Sequence, residues 1–504
     1  MSNSLKSAGV ELDFARLELP EDLAGRYQEP IARALQEMAA VEAGEKVNTD
    51  EGRMVGHYWL RNPDLAPGDL GVAICETQQS IEDFGRDVFS GRFSNILWIG
   101  IGGSGLGPQL LYDSLRVPGV TPGMFFLDNT DPFGFQRTLG DIEQSGGLKT
   151  TLTVIVSKSG GTKETANGMK FAKVAYERAG LSFEEHAAAV TQPESALDKL
   201  AGPESADDPK TAGPAWLKRF AIWDWVGGRT SLFSAVGLLP ASLLGFDTKA
   251  FLAGAREMDE ATRTESLQSN PALMLATAWF HVVEHQSLRN MVVLPYCDRI
   301  CLMSKYLQQL VMESVGKDGK GISVFGNKGS TDQHSYVQQL RDGNKDFFAM
   351  FLRVLNPEVE ELEVEPGVTA GDYLMAFQEG TAKALTETGR PSLRITTERF
   401  NEHTLGALIA LFERAVGYYG AMLGINSYHQ PGVEAGKTAA GDLLAAQQAV
   451  LKHLPLDASS LVQDEQRMTV FAGQVRAEEG LDALSDDFVA DLLKRFAACG
   501  RLTN

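Results

Sequence analysis

The sequence predicts an α/β protein with two mainly parallel sheets, each flanked by helices, and with helical segments at both ends. Three observations lead there. From about residue 95 onward, short β-branched runs alternate with helix-period stretches, the pattern of a parallel sheet covered on both faces. That texture gives way to a helical passage and then returns, so the chain holds two α/β sets of similar size. Several of the apolar runs also end in glycine- and hydroxyl-rich turns that lead straight into helices, the place where open parallel sheets hold their ligands.

Taken in order, residues 1–90 carry helical periodicity in PEDLAGRYQEPIARALQEMAAVEAG, followed by a Gly/Pro/Asp passage, NPDLAPGDLG. Residues 91–245 contain the strand-like runs NILWIG, GMFFLD, TLTVIVS, AAAVT and RFAIW and form the first α/β domain. The Pro/Asp-rich stretch GPESADDPKTAGP within it reads as a surface loop. A helical connector spans 246–285. Residues 286–450 return to the α/β pattern with NMVVLPY, the long helix LMSKYLQQLVMESVG, GISVFG, DFFAMFLRVL and SLRITT. The final segment, 451–504, is again helical.

Composition narrows the function. A chain of 504 residues with 43% hydrophobic content buries more than one core. A formal net charge of −20 opposes nucleic acid and acidic membranes, so an anionic ligand has to be small and met by a local cationic pocket. The N-terminus MSNSLKSAGVELDF has no apolar leader and no spanning apolar run occurs, which places the protein in the cytoplasm. Four cysteines, Cys75, Cys297, Cys301 and Cys499, form neither a disulfide framework nor a zinc pattern.

The junction VIVSKSGGTKET is the first candidate site. Ser157, Lys158, Ser159 and Thr162 surround two glycines between a strand and a helix start. Free amides and the helix dipole there favour an anion such as phosphate, and the same residues also suit an ordinary capped βα loop. The turn WIGIGGSGLGPQLL places Gly100, Gly102 and Gly105 in a G-x-G-x-x-G pattern, with Asp128 ending the next strand. This supports a dinucleotide site as the rival reading. Gly103 and Ser104 suit a sugar hydroxyl or phosphate equally. His281, Glu284 and His285 match an H-x-x-E-H zinc pattern without a further acidic ligand motif. Gly316-Lys317 is followed by Asp318 and makes no P-loop. No metal or cofactor is expected.

Acid–base candidates cluster later in the chain. Glu313 ends an otherwise apolar helix with Gln309 one turn earlier on the same face. The helix dipole and burial disfavour the anion there, which suits a general base. His334 follows Ser330, Thr331 and Asp332 at a helix start, and Gln430, Glu434 and Lys437 lie in INSYHQPGVEAGK. Arg229 follows two glycines at the mouth of a helix, where a guanidinium is able to hold a developing oxyanion. A carboxylate base, a histidine, a lysine, an arginine and a hydroxyl-rich phosphate loop together suit proton abstraction next to a carbonyl on a phosphorylated sugar.

The stretches GIGGSGLGP, SKSGGTKET, VGGRTSLFSAVGL, QLVMESVGK, STDQHSYVQQL and INSYHQPGVEAGK, in this order, closely resemble the glucose-6-phosphate isomerase (phosphoglucose isomerase) family. The resemblance implies two sugar-isomerase (SIS) domains and a homodimer with shared active sites. It also implies reversible isomerisation of glucose 6-phosphate and fructose 6-phosphate, a step of glycolysis and gluconeogenesis, through ring opening and a cis-enediol. It assigns phosphate binding to Ser157, Lys158, Ser159 and Thr162, with Gly103 and Ser104 near the sugar. Glu313 then corresponds to the base, Arg229 to the enediolate-stabilising cation, and His334, from the partner subunit, with Lys437 to the ring-opening pair. Gln309 and Gln430 correspond to substrate contacts. Val315 and Pro431 depart from residues frequent in relatives. The alternatives are a bifunctional phosphoglucose/phosphomannose isomerase and a non-catalytic SIS-type sugar-phosphate binder.

Overall fold

The structure, a computed structural model, describes residues 4–89, 91–202, 215–455, 458–479 and 485–502. Residues 203–214, most of the stretch expected as a surface loop, lie outside the described residues. The chain separates into two units, Met1–His429 and Gln430–Asn504.

Within the first unit the strands are, in chain order, β1 (Ser4–Ser7), β2 (Val10–Asp13), β3 (Asn95–Ile99), β4 (Gly123–Leu127), β5 (Thr151–Val156), β6 (Ala187–Thr191) and β7 (Lys218–Ala221). They continue with β8 (Asn290–Tyr296), β9 (Ser323–Gly326), β10 (Phe347–Val354), β11 (Glu363–Glu365), β12 (Val368–Thr369) and β13 (Ser392–Thr397). The first sheet has the order β4-β3-β5-β6-β7, with every pairing parallel. Along β3, Ile96 and Trp98 enter one apolar core while Leu97 and Ile99 enter another. Both faces are therefore covered, which is why NILWI reads as an unbroken apolar run rather than an alternating one.

The second sheet has the order β1-β2-β13-β10-β8-β9. It is parallel from β13 to β9, and β10 divides its side chains in the same way: Phe348, Met350 and Leu352 to one core, Phe347, Ala349 and Phe351 to the other. Its far edge is the hairpin β1–β2, antiparallel to β13. Residues 4–13 thus depart from the helical expectation for the opening segment. The turn is Ala8-Gly9 with both φ angles positive, 48° and 75°, a hairpin geometry that Asn-Gly would have advertised and Ala-Gly does not. Four-residue strands are too short for their alternation, Val10 and Leu12 buried, to stand out.

Helix Glu402–Leu423 is buried on all sides from Thr404 onward. Its Arg414 and the distant Arg61 both hold Asp259, at 2.6 and 2.9 Å, with all three side chains shielded from solvent. Such a network keeps buried charges paired. The second unit is a helical assembly with its own apolar core around Val450, Ala472, Leu493 and Phe496. Its first helix, Pro431–Lys452, runs through residue 450, where the end of the second α/β domain was expected.

Candidate active site

Because β3 and β5 are adjacent and parallel, the turns that follow them leave the sheet at the same edge. After β5, Gly160 adopts φ +72°, and a Cβ there would lie 2.5 Å from the Leu197 amide nitrogen, so only glycine fits. The Ser157 hydroxyl accepts from the Gly160 N–H at 3.1 Å and donates to Thr162 Oγ1 at 3.3 Å. Ser159 Oγ accepts from the Gly161 N–H at 3.2 Å. Thr162 heads helix Lys163–Arg178 but makes no side-chain capping bond. Hydroxyls and a helix N-terminus thus converge in one short loop, the arrangement that attracts an anion.

Lys158 ties this loop to its neighbour. Its ammonium donates to the carbonyls of Asp224 and Val226, at 2.6 and 3.0 Å, on the segment leading to Arg229. Burial, and then the nearby Arg53 guanidinium, push its pKa down to about 8.

After β3, Gly102 (φ +59°) opens helix Gly103–Leu115. A Cβ on Gly102 would lie 3.2 Å from Gln309 Nε2, and one on Gly103 would overlap the Gly228 carbonyl and lie 2.8 Å from the Arg229 nitrogen. The close approach that glycine allows is taken here by protein, Gln309 on one side and the Gly228–Arg229 backbone on the other. The dinucleotide reading needed that space for a pyrophosphate. Asp128, the ribose-binding candidate, accepts instead from Gln109 Nε2 at 2.7 Å.

Arg229 lies on the 3₁₀ turn Gly228–Thr230 and is buried. Its Nε donates to Ser314 Oγ at 2.6 Å, and Nη2 donates to the carbonyls of Ser427 (2.6 Å) and His429 (3.3 Å). The remaining nitrogen, Nη1, lies 3.3 Å from Glu313 Oε1. Burial lowers the Arg229 pKa, and the Glu313 carboxylate opposes that shift. Gln309 Nε2 donates to Glu313 Oε2 at 2.9 Å. The expected straight helix differs in detail: Met303–Leu307 is α-helical, whereas Gln308–Glu313 winds as a π-helix, a form that recurs at functional sites.

Lys317, ruled out as a P-loop lysine, belongs to the same neighbourhood. Its ammonium donates to the Asn426 carbonyl. Burial, and then Arg229, push its pKa down to about 8. Ser314 and the carbonyls of residues 426–429 carried no signal in the sequence, since a backbone acceptor has no residue signature.

His334 ends the 3₁₀ turn Thr331–His334 rather than opening a helix, and its side chain is exposed. Gln430 and Lys437 belong to the second unit, Gln430 as the residue preceding its first helix. The Lys437 and Glu434 side chains lie outside the described residues. The zinc-like trio is otherwise engaged: His281 Nδ1 meets the Tyr27 hydroxyl at 2.8 Å, and an Arg26 nitrogen lies 2.7 Å from His285 Nε2. The four cysteines are free.

A family model described as Phosphoglucose isomerase matches residues 27–369 and 376–461. A glucose-6-phosphate isomerase of Citrifermentans bemidjiense is 50% identical over 463 residues, covering 88% of this chain and 85% of that protein. Another, of Geobacter sulfurreducens, is 48% identical over 501 residues, covering 94% and 93%. Among solved structures, a glucose-6-phosphate isomerase from Chlamydia trachomatis superposes with a TM-score of 0.76 at 26% identity, over 90% of this chain and 91% of that one.

Proposed function

The chain belongs to the phosphoglucose isomerase family, and from that premise we propose that its site interconverts glucose 6-phosphate and fructose 6-phosphate. The observation that carries the reading is the Gln309–Glu313–Arg229 group, with the turn bearing Arg229 linked through Lys158 to the hydroxyl-rich loop after β5. The substrate phosphate docks against Ser157, Lys158, Ser159, Thr162 and the amides between them, and Gly103 and Ser104 border the sugar. Glu313 takes the C2 proton of the open aldose. The electron pair left behind becomes a cis-enediolate whose charge Arg229 holds, and Glu313 returns the proton to C1. His334 and Lys437 open the ring by acid–base exchange at the ring oxygen and the anomeric hydroxyl, and Gln309 and Gln430 contact the substrate.

The working protein is proposed to be a homodimer. Exposure of His334 on its own chain suits donation to a neighbouring copy. Among the described residues no helix is long and apolar enough to cross a membrane, and the proposed compartment is the cytoplasm, where the reaction serves glycolysis and gluconeogenesis.

The test is to give chelator-treated protein fructose 6-phosphate, with mannose 6-phosphate in parallel, and to follow glucose 6-phosphate. Rapid conversion of fructose 6-phosphate is expected. Tight binding without conversion would overturn the reading in favour of a sugar-phosphate sensor, and turnover of both substrates would extend it to a bifunctional isomerase.

A further inference from the structure

Two kinds of oxygen hold Arg229: the Ser314 hydroxyl, and the carbonyls of Ser427 and His429. A hydroxyl belongs to its side chain, whereas a carbonyl goes wherever the main chain is pinned. Whatever pins residues 426–429 therefore sets where the guanidinium rests. These residues follow helix Glu402–Leu423 and belong to no strand or helix, so side chains have to do the pinning.

Asn426 does most of it. Its Nδ2 donates to Asp50 Oδ2 at 2.6 Å and to Asn48 Oδ1 at 3.0 Å, and its Oδ1 accepts from the Tyr428 N–H at 2.9 Å. The Tyr428 amide fixes which end of the side chain is oxygen, because turning the group over would set two donors against each other. Both amide hydrogens are spent, and the bond to Tyr428 folds residues 426–428 into a local turn. Within that turn lies the Ser427 carbonyl that meets Arg229 Nη2 at 2.6 Å. The Asn426 carbonyl accepts in turn from the Lys317 ammonium. The bond to Asp50 is charge-assisted, and it is the main influence holding the Asp50 carboxyl below the usual carboxylate range.

The partners of Asn426 are themselves anchored. Asn48 is buried, exchanges both backbone hydrogen bonds with Arg53, and donates from Nδ2 to Glu51 Oε2 at 2.6 Å. Arg53 Nη1 donates to the Asp224 carbonyl at 2.7 Å, the same oxygen that Lys158 meets at 2.6 Å. The turn Asn48–Arg53 thus braces the mount of Arg229 at one end and shares an acceptor with the lysine of the loop after β5 at the other.

On the role already proposed for Arg229, we propose that Asn426 is its positioning residue: anchored to Asn48 and Asp50, it sets the Ser427 and His429 carbonyls that orient the guanidinium towards the reacting carbons. No simple replacement does the same. Alanine gives up all three side-chain bonds, and aspartate keeps the acceptor for Tyr428 but sets a second carboxylate against Asp50.

The test is steady-state kinetics with fructose 6-phosphate on Asn426→Ala, Arg229→Ala and the double variant. Asn426→Ala is expected to lower kcat by about tenfold or more, towards the roughly 10²-fold cost of a 1 Å misplacement, with KM changed by less than about threefold. In the Arg229→Ala background the same substitution is expected to change kcat by less than about twofold, since the residue it positions is already gone. Asn426→Asp should be impaired, and adding Asp50→Asn, which returns a donor to the pair, should recover at least about threefold in kcat. A crystal structure of Asn426→Ala should show the Arg229 Nη2 to Ser427 contact lengthened beyond 2.6 Å. That displacement is read without turnover, so a parent protein that fails to isomerise fructose 6-phosphate overturns the functional reading while the crystal still decides the positioning role. The proposal is overturned if Asn426→Ala leaves Arg229 in place, if its loss is confined to KM, or if it costs as much without Arg229 as with it. Should Asn426→Ala not fold, Asp50→Ala removes one anchor at an exposed side chain. A kcat loss there that vanishes in the Arg229→Ala background supports the proposal, and an unchanged kcat overturns it.

Discussion

Arg229 Nη1 stands 3.3 Å from Glu313 Oε1, and every other nitrogen of that guanidinium is committed to Ser314, Ser427 or His429. The cation is held by neutral oxygens on one side and faces the carboxylate with the other. A substrate that draws charge onto its own oxygens next to Glu313 meets a guanidinium already fixed in place, with no reorganisation required.

Glu313→Gln keeps the side-chain volume and its contact with Gln309 but removes the proposed base. Turnover is expected to fall by about 10²–10⁴-fold or more while fructose 6-phosphate binding stays near the parent value. Comparing kcat with a directly measured Kd checks this, and turnover that survives the change refutes the assignment of Glu313.

Arg229→Ala is expected to lower kcat by about 10²–10³-fold, with the smaller effect on KM. Arg229→Lys should recover little, because one ammonium cannot reproduce a planar fork that meets Ser314, Glu313 and two carbonyls at once. A change confined to KM would make Arg229 a ground-state binder.

Gly103→Ala tests the joint between the two loops. The added Cβ overlaps the Gly228 carbonyl, so the Arg229 turn has to move. A shift of about 1 Å in a positioning element costs on the order of 10²-fold in rate. The loss should appear in kcat, and the unfolding temperature should fall as well, because the overlap is with backbone and costs about 1–3 kcal/mol.

The pH dependence follows from Lys158. Its pKa is pushed down to about 8, so the ammonium is charged below that pH and neutral above it. As pH rises from 7 to 9 the loop loses a positive charge, and KM is expected to climb by about tenfold, the worth of one charge-assisted hydrogen bond. In Lys158→Met, KM should start high and stay flat across the same range. Lys317 titrates in the same window, so a limb that persists in Lys158→Met and vanishes in Lys317→Met belongs to that residue instead.

The proposed sharing of sites in a homodimer makes a separate demand. Glu313→Gln and His334→Ala proteins, each weakly active alone, should regain activity when refolded together, because a mixed dimer rebuilds one complete site. No recovery in a verified mixed dimer would place His334 in its own chain's site.

Much of this was open to reading in the chain. β5 announces itself through Val154, Ile155 and Val156, and Gly160 marks the turn because its conformation excludes a side chain. Arg229 and Glu313 were identifiable as candidates but not as neighbours, since 84 positions separate them (313 minus 229) and only the packed fold brings them together. The β1–β2 hairpin escaped notice because its strands are short and its turn is Ala8-Gly9. Lys317 escaped because its ammonium is held by the Asn426 carbonyl, a backbone group that every residue carries alike.

The π-helical winding of Gln308–Glu313 has a consequence for evolution and for engineering alike. A π turn accommodates one residue more than the α-helix it interrupts, so everything after it is rotated by about 100°, the angular step of one residue. The compass bearing of Glu313 is therefore set by a length rather than by an identity. Straightening Gln308–Glu313 to ordinary winding at constant length would swing the carboxylate more than a quarter turn away from Arg229, whereas removing one residue between 310 and 312 as the turn relaxes would leave its bearing nearly unchanged.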